Sequence, residues 1–403
     1  MSGRLRSDRK DSPVVSGKKL LLVYDVSYPH VEGGGQRRMY EVASRMKAQG
    51  YDVDWLCFQT WDGDPSLTDK SGIRYIGLPG YRGLYREDGS RRGREPVEFL
   101  MALLRSGFRF KDYDIIWSGQ WPMLHLAWWM LFPSVLGRAK LVVDWWEIWG
   151  STWFSYSRKF GLIGFLLEKF LIHRLPKVGT VVFIAPRAYV QARQMNPKGR
   201  LALIHNGIDL SAIKSALPDP DWASDIVYLG RLKDHKRVDL LLLALERLNI
   251  DHNSRVTACI VGDGPEMAAL KEMTVNLGLA GQVRFAGAVA SNNTVYEILL
   301  SSKIFVNPSV KEGGGSITLF EAFACGLPVV AFDCKDGIDP LLVGDGVSGK
   351  LVENVTVAAL SEAIHGLLVD PGRLEELRKG ALSASLRYDW NAIAQDYEVQ
   401  FNE

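Results

Sequence analysis

The sequence predicts an α/β protein of two doubly wound parallel-sheet domains, and three observations support this prediction. First, 403 residues exceed what one ordinary hydrophobic core encloses, so two domains of roughly 200 residues are expected. Second, the chain opens with strand, glycine loop, helix and strand over residues 19–58. Third, the same alternation restarts at residue 226, after a polar, proline-containing linker at 217–220.

Composition places the chain among ordinary globular proteins. It is 47% hydrophobic and 23% charged, and a formal net charge of +2 argues against a dedicated nucleic-acid binder. The segment at the N-terminus lacks the apolar core of a signal peptide, and no uninterrupted apolar run reaches the ~18 residues of a membrane span. The four cysteines form no CxxC pair and are expected to be buried, reduced thiols: Cys57, Cys259, Cys325 and Cys334. We therefore expect a cytoplasmic protein, either soluble or peripheral on the membrane surface.

A run of glycines follows the first predicted strand, residues 19–25. The run includes Gly34 and Gly35, and the helix after it has apolar residues at helical spacing: Met39, Val42, Ala43 and Met46. Glycines at this place let the backbone approach a pyrophosphate closely. A bare turn would have the same local sequence, so the run alone leaves both interpretations open.

Aromatic residues concentrate in the middle of the N-terminal half, where eight of the twelve tryptophans lie between Trp117 and Trp153. Such rings usually pack in cores, but Trp also stacks on sugar faces and favours membrane interfaces. Trp146 and Glu147 follow the predicted strand at 140–143, and the carboxyl ends of parallel strands carry ligand sites. We therefore expect these two residues at a ligand site.

Two further segments of this half are strongly basic or strongly apolar. Residues 62–96 are rich in Gly, Asp and Arg, which is typical of a mobile basic loop or of an ordinary solvated loop. Residues 160–176 form an apolar helix interrupted by Lys169, His173 and Arg174. An ordinary buried helix is the favoured interpretation, and contact with a membrane surface is the alternative.

The second half contains the stretch with the most chemistry, residues 308–330. Its two acids, Glu312 and Glu321, are separated by a glycine run and a predicted helix start: Gly313, Gly314, Gly315 and Ser316. Glycines allow close backbone approach, and a helix start presents unpaired N–H groups to an anion. Carboxylates repel a phosphate but accept hydrogen bonds from sugar hydroxyls. The stretch therefore predicts a binding site for a nucleotide sugar.

Two cations follow the predicted strand at 226–229. Arg231 and Lys236 lie across one strand-to-helix turn, so both can reach one site. A bidentate guanidinium together with a compact ammonium suits a diphosphate. A solvated pair at a helix start is the alternative, and the glycine run with its two acids in the same half favours the diphosphate.

These motifs, in this order, resemble those of the retaining glycosyltransferases of family 4, which have the GT-B fold. The matching segments cover nearly the full chain: GGxxR at Gly34, Gly35 and Arg38; HNGID at 205–209; GRL with a following lysine at Arg231 and Lys236; VGDGP at 261–265; PSxxEGxG at 308–315; EAxACGxPVVA at 321–331; and GxxxxxxGDGxxGxLV from Gly337. Several motifs in a fixed order are much more specific than any single one.

The resemblance implies roles for the matching residues. Glu312 would hold hydroxyls of the donor sugar, Arg231 and Lys236 would bind its diphosphate, and Glu321 would hydrogen-bond the ribose. Glycines and one serine would approach the donor: Gly34, Gly35, Gly262, Gly264, Gly313, Gly314, Gly315 and Ser316. Three residues would lie on the acceptor side: Arg38, Trp146 and Glu147.

The resemblance also implies an architecture of two Rossmann-like doubly wound domains that face each other across a cleft. The expected parts are a disordered basic tail (1–17), an acceptor-binding domain (18–215), a nucleotide-sugar-binding domain (216–385) and a C-terminal helix that crosses back to the first domain (386–403). The implied reaction is metal-independent and cofactor-free. It retains the anomeric configuration while it transfers a sugar from a UDP- or GDP-sugar donor to a lipid-linked, polysaccharide or glycoconjugate acceptor. Such a reaction fits cell-surface glycan assembly at the cytoplasmic face of a membrane.

Two positions depart from the family pattern. Eight residues separate Glu312 from Glu321, one more than the family usually has. Trp146 followed by Glu147 stands where the family often has a histidine. Two other classes of function stay open on the sequence alone: an epimerase or phosphorylase with the same double fold, and a non-catalytic protein that binds sugar nucleotides.

Overall fold

The structure is a computed structural model that describes residues 17–31, 33–84, 92–156, 159–312 and 315–403. The predicted disordered tail (except Gly17), part of the predicted basic loop and the predicted donor-binding Gly313 and Gly314 lie outside the described residues. The chain divides into two compact units. Unit 1 comprises Met1–Asp144, Lys159–Thr180 and Tyr397–Glu403, and unit 2 comprises Trp145–Arg158 and Val181–Asp396.

The described residues contain fourteen strands, numbered in chain order. They are β1 Lys19–Val23, β2 Asp52–Phe58, β3 Ser66–Thr68, β4 Arg74–Leu78, β5 Ile115–Gly119, β6 Lys140–Trp145, β7 Thr180–Phe183, β8 Leu201–Leu203, β9 Ser224–Leu229, β10 Ala258–Val261, β11 Val283–Gly287, β12 Ser302–Asn307, β13 Val329–Phe332 and β14 Gly349–Val352.

Fourteen α-helices connect or follow these strands in the described part of the chain. They are α1 Gly34–Ala48, α2 Glu95–Ser106, α3 Met123–Leu131, α4 Thr152–Tyr156, α5 Gly161–Val178, α6 Pro186–Met195, α7 Leu210–Ser215, α8 Val238–His252, α9 Met267–Asn276, α10 Asn292–Leu300, α11 Ile317–Ala324, α12 Val357–Leu368, α13 Pro371–Ser385 and α14 Trp390–Asn402.

In unit 1 the strands are ordered β3–β4–β2–β1–β5–β6. All neighbours are parallel except β3, which pairs antiparallel with β4 at the edge. The central strand β1 is a continuous apolar run whose residues 20–23 are fully buried. Such a run is typical of a parallel strand covered by helices on both faces, which is the predicted doubly wound arrangement.

In unit 2 six parallel strands are ordered β11–β10–β9–β12–β13–β14. The chain order reverses between β9 and β12, which are adjacent although two strands separate them in sequence. Loops that leave the carboxyl ends of strands at such a reversal diverge and leave a crevice for ligands. Because β9 and β12 are adjacent, the loop after β9, which carries Arg231 and Lys236, lies beside the loop after β12, which carries Glu312.

Helix α5 differs from its prediction as an ordinary buried helix. Its C-terminal half is buried through residues that include Leu171, Ile172 and Leu175. Its N-terminal half exposes Leu162, Ile163 and Leu166 to solvent. No helix among the described residues is long and apolar enough to cross a membrane.

The four cysteines are free thiols. Three are buried as predicted, and burial raises the pKa of the Cys57 thiol to about 12 and that of Cys259 to about 11. Cys334 differs from the prediction because it is only partly buried, in the loop that follows β13.

Candidate active site

Two predicted catalytic residues are in direct contact in unit 2. Lys236 Nζ donates a hydrogen bond to Glu312 Oε1 at 2.7 Å, and Asn307 Nδ2 donates to the same oxygen at 3.2 Å. The Lys236 and Glu312 side chains are 19% and 11% exposed. The ion pair is thus largely removed from water but still accessible to a ligand, which strengthens its electrostatic effect on that ligand.

The two loops that carry this pair are fixed to each other by the backbone. The Val310 amide donates to the His235 carbonyl at 3.1 Å, and Ser309 Oγ donates to the same carbonyl at 3.2 Å. The Glu312 amide donates to the Asp336 carbonyl at 2.7 Å. Partial burial and the neighbouring Lys236 lower the pKa of the His235 imidazole. Two hydrogen bonds therefore join the loop of Lys236 to that of Glu312, and a third fixes Glu312 to the loop after β13.

Arg231 lies exposed in the loop after β9. Its backbone carbonyl accepts a hydrogen bond from the Tyr228 hydroxyl at 3.1 Å. Burial and the nearby Glu312 carboxylate raise the pKa of Tyr228, so this hydroxyl stays protonated and remains a donor. The guanidinium is left at the surface, on the same loop that leads to Lys236.

Gly262 and Gly264 pack against this loop. A Cβ at Gly262 would lie 1.8 Å from the Gly230 carbonyl oxygen, and one at Gly264 would lie 2.2 Å from the Leu232 carbonyl oxygen. Gly262 also has a φ of 133°, a conformation that favours glycine. Both glycines therefore allow the β10 loop to contact the Arg231 loop closely, a structural role that the sequence did not predict. Their contact with the donor stays a prediction.

The described end of the glycine run is held by the HNGID motif. Asn206 Nδ2 donates to the Gly315 carbonyl at 2.6 Å, and both residues are buried. Ser316 precedes α11, and its hydroxyl shares a hydrogen bond with Thr318 Oγ1 at 2.7 Å. Glu321 lies further along α11 and is buried. Helix α11 begins at Ile317, after Ser316, and the unpaired amides of a helix start favour an anion.

A cavity of about 1120 Å³ lies within unit 2, and its described lining includes some of these residues but neither Arg231 nor Lys236. Its lining includes three residues predicted on the donor side, Glu312, Gly315 and Ser316. It also includes Trp146 and Glu147, which were predicted on the acceptor side. Further side chains of both charges line it: Arg187, Lys311, Asp333, Lys335, Asp336, Asp339 and Glu353. The structure therefore brings residues from the two halves of the sequence to one polar cavity.

Sequence reasoning missed Arg187, which is the second residue of α6 and lines this cavity. Its guanidinium donates to the carbonyls of Lys335 at 2.6 Å and Gly337 at 3.3 Å. Its backbone amide donates to Asp339 Oδ2 at 2.5 Å. Arg187 thus fixes the loop after β13, and no local sequence pattern indicates it because its guanidinium contacts backbone carbonyls about 150 residues away.

Arg38 was predicted to lie on the acceptor side. Its side chain is fully buried in unit 1, where it pairs with Asp144 at 3.1 Å. Its Nη2 donates to the Tyr397 hydroxyl at 2.7 Å, and Trp117 Nε1 donates to Asp144 at 3.0 Å. The described contacts of Arg38 are therefore structural ones within unit 1, and its acceptor-side role stays a prediction. The ion pair with Asp144 and the hydrogen bond to the Tyr397 hydroxyl offset the cost of burying this cation.

Gly34 and Gly35 form the first turn of α1 in unit 1. Gly34 is exposed, and a Cβ at this position would meet no atom within 4 Å. Packing within the described structure therefore does not require glycine at residue 34. Close approach of a ligand stays the predicted reason for a glycine there. Among the described residues, no cluster of three or more His, Cys, Asp or Glu side chains could hold a metal ion.

Two family profiles match most of the chain. The profile "Glycosyl transferase 4-like domain" matches residues 33–207, and "Glycosyl transferases group 1" matches residues 212–383. One curated relative is the D-inositol 3-phosphate glycosyltransferase 2 of Catenulispora acidiphila, 30% identical over 213 residues, which are 49% of each chain. Another is the GDP-mannose-dependent alpha-(1-6)-phosphatidylinositol monomannoside mannosyltransferase of Mycolicibacterium smegmatis, 30% identical over 45% of this chain and 50% of its own length. The matches thus span about half the length of these relatives.

Similar solved structures cover nearly the whole chain. Sucrose-phosphate synthase from Thermosynechococcus elongatus has a TM-score of 0.73 at 19% identity, over 96% of this chain and 98% of its own. The Anabaena protein HepE in complex with UDP has a TM-score of 0.69 at 18% identity, over 96% and 99%. At these identities the likeness concerns the fold. Together, the two matched profiles, the order of the motifs and the two parallel-sheet units show that the chain belongs to the family 4 glycosyltransferases and has their GT-B fold.

Proposed function

We propose that this protein is a retaining glycosyltransferase that moves a sugar from a UDP- or GDP-sugar to a lipid-linked, polysaccharide or glycoconjugate acceptor in cell-surface glycan assembly. The observation that carries the proposal is the Lys236–Glu312 pair, with Glu312 lining a 1120 Å³ cavity. The name of one relative supports both classes, because it gives GDP-mannose as the donor and a phosphatidylinositol monomannoside, which is a lipid-linked sugar, as the acceptor. Another relative is named for D-inositol 3-phosphate, which is a small compound outside the proposed acceptor classes. The structural neighbour HepE binds UDP.

The donor diphosphate is assigned to the positive side of the site. Lys236 supplies an ammonium, Arg231 a guanidinium on the same loop, and the start of α11 a set of amide N–H groups. These groups stabilise the negative charge that builds on the departing diphosphate, which is the role that a metal ion has in other transferases. We therefore propose metal-independent transfer without a cofactor.

Glu312 is assigned to the donor sugar. Its Oε1 already accepts hydrogen bonds from Lys236 and Asn307, so Oε2 is available in geometry to accept from sugar hydroxyls. In the proposed reaction the bond between the anomeric carbon and the diphosphate oxygen breaks. The acceptor oxygen bonds to the same face of the sugar, and its proton passes to the departing diphosphate oxygen.

The acceptor is assigned to the side of the cavity that Trp146 and Glu147 line. An indole ring offers an apolar face for a sugar ring, and a carboxylate accepts hydrogen bonds from its hydroxyls. The resemblance to the family also implies a histidine where this chain has Trp146 followed by Glu147, so Glu147 is the residue to exchange when the acceptor preference is tested.

The test combines donor screening with product analysis. Thermal unfolding in the presence of nucleoside diphosphates and nucleotide sugars identifies the base, because a ligand that binds only the folded state raises the unfolding temperature. NMR of the product formed in EDTA then reports the anomeric configuration and the need for metal. Retention of configuration with full activity in EDTA is expected. Inversion, or activity that is lost in EDTA, contradicts the proposed mechanism.

Glu312→Gln gives the matched residue test. We expect loss of transfer by at least about a hundredfold in a protein that still unfolds cooperatively, because a charge-assisted hydrogen bond to the sugar is lost. Glu272→Gln, an exposed change on α9, is the control that leaves transfer unaffected. Near-normal turnover by Glu312→Gln would remove this carboxylate from the site.

A further inference from the structure

The N-terminal half of α5, with the residue before it, presents a cluster of large apolar side chains to solvent. Phe160, Leu162, Ile163 and Leu166 are between 54% and 62% exposed. Leu162, Ile163 and Leu166 share one face of the helix through their spacing of three and four residues. Burying Leu162, Ile163 and Leu166 would be strongly favourable, and these three side chains are mostly exposed to solvent in the described structure.

The charges of α5 are also one-sided. Lys169, Arg174 and Lys177 are exposed, and Lys159 is exposed just before the helix. The helix contains a single acid, Glu168, and its side chain is buried. The solvent side of α5 therefore joins an apolar cluster to several cations with no exposed carboxylate on the same helix.

We propose that this surface, the α5 face formed by Phe160, Leu162, Ile163, Leu166, Lys169 and Arg174, docks on a bilayer that contains anionic lipid. An interfacial helix of this kind buries its apolar side chains at the acyl boundary while its cations contact anionic headgroups. Helix α5 is not a membrane span, so the contact is peripheral.

The charge pattern argues for lipid over a second copy of the chain. In a twofold dimer the same surface would meet itself, and the cations of one copy would face those of the other. A bilayer with anionic headgroups complements the cations and covers the apolar side chains in one contact. This inference goes beyond the proposed transferase activity and does not depend on it.

Vesicle sedimentation of the full chain tests the docking surface. Vesicles of phosphatidylcholine alone are compared with vesicles of phosphatidylcholine and phosphatidylglycerol, in low and high salt and without nucleotide or acceptor. Binding to the mixed vesicles that weakens in high salt is expected. Because no donor or acceptor is present, the result is independent of whether the protein transfers sugar.

Two sets of variants separate the contributions. Ile163→Asp with Leu166→Asp should weaken binding by at least about a hundredfold, since two buried apolar side chains are lost. Lys169→Gln with Arg174→Gln should weaken it by about fivefold for each cation removed. The controls are Ile250→Asp, at an exposed position of α8, and Lys214→Gln, at an exposed position of α7, and neither should change binding.

Three outcomes would overturn the inference. One is wild-type chain that stays in the supernatant with both vesicle types. Another is an equal loss of vesicle binding in the α5 variants and in their controls. The third is a concentration-dependent dimer in sedimentation velocity that only the α5 variants abolish, which would assign this surface to a second copy of the chain. Unfolding temperatures of all variants within the range of their controls exclude misfolding as the cause.

Discussion

At the scale of single residues, the ion pair between Lys236 and Glu312 shows how one contact serves two purposes. The lysine neutralises a carboxylate that is largely buried, and it also places positive charge where the diphosphate is proposed to bind. The 2.7 Å hydrogen bond from Lys236 to Glu312 is charge-assisted. Removal of either partner therefore changes the site more than the loss of an exposed ion pair would.

We predict that Lys236→Ala weakens binding of UDP or GDP by about ten- to a hundredfold, as expected for one hydrogen bond to a charged group. Isothermal titration calorimetry measures this change directly. Lys214→Ala, an exposed change on α7, should leave the affinity as it is. Equal affinities for Lys236→Ala and the wild type would separate this lysine from the diphosphate.

The sequence predicted Lys236 and Glu312 correctly as neighbours because both follow strands at the reversal of the sheet order. The burial of Arg38 was not predicted, since a motif match gives a residue's position in the chain but not its burial. Its partners Asp144 and Tyr397 lie 106 and 359 residues away. Arg187 was missed for a similar reason: its guanidinium contacts backbone carbonyls, which every residue has.

At the scale of elements, the loop after β10 supports the loop that carries Arg231. The Leu232 amide donates to the Asp263 carbonyl at 2.9 Å, and the Glu266 amide donates to the Leu232 carbonyl at 3.1 Å. This exchange of backbone bonds is possible only because Gly264 brings the two main chains together. The sequence VGDGP was recognised as a motif, but its packing partner could not be deduced from it.

We predict that Gly264→Ala destabilises the protein by about 1–3 kcal/mol, because the added methyl meets backbone and neither chain segment can move freely. It should also weaken nucleotide binding, since the Arg231 loop must shift. Gly366→Ala is the matched control at an exposed position of α12, where a Cβ meets nothing within 4 Å, and it should be neutral or slightly stabilising. Chemical denaturation of both variants measures the difference, and equal stabilities would show that the loops adapt without cost.

Helix α5 marks the limit of sequence reasoning at this scale. Its apolar composition predicted a buried helix, and only the half that contains Leu171 and Leu175 is buried. The hydrophobic pattern alone does not tell which apolar residues find partners, because that depends on how far the neighbouring helices extend. Helix α3, which packs beside α5, has nine residues against eighteen in α5.

At the scale of the whole molecule, stability depends on pH through a buried histidine. His125 is fully buried on α3, its Nε2 lies 2.8 Å from Ser118 Oγ, and burial lowers its pKa to about 3. The folded protein keeps this imidazole neutral, whereas the unfolded chain protonates it near the ordinary pKa of 6.5. The contribution is therefore fully present above pH 6.5 and is lost as the pH falls towards 3.

We predict that His125→Gln reduces the slope of unfolding free energy against pH between pH 6 and pH 4 by up to about 1.4 kcal/mol per pH unit. Urea denaturation at several pH values measures both slopes. At pH 8 the histidine is neutral in both states, so comparison there isolates the packing cost of the substitution. Identical slopes for wild type and variant would show that His125 is protonated in the folded protein as well.

The two-sheet architecture followed from the alternation of strands and helices, which repeats along the chain. The division of the chain into compact units did not, because it is not continuous in sequence. Residues 145–158 and 181–215 lie in unit 2, and Tyr397–Glu403 lie in unit 1. Sequence analysis places domain boundaries at linkers, and the linker at 217–220 is recognisable from its composition. The change of unit after Asp144 has no such composition, so the sequence does not reveal it.

The buried contact of Arg38 and Asp144 with Tyr397 has a consequence for the order in which the protein folds. A chain folds while it is being synthesised, and N-terminal regions generally do so first. Arg38 and Asp144 emerge early, but Tyr397, whose hydroxyl hydrogen-bonds to both, is synthesised 253 residues after Asp144. Until then, the ribosome-bound chain must shield an incompletely satisfied cation–carboxylate pair or leave it in water. The first unit to be translated is therefore the last to be completed.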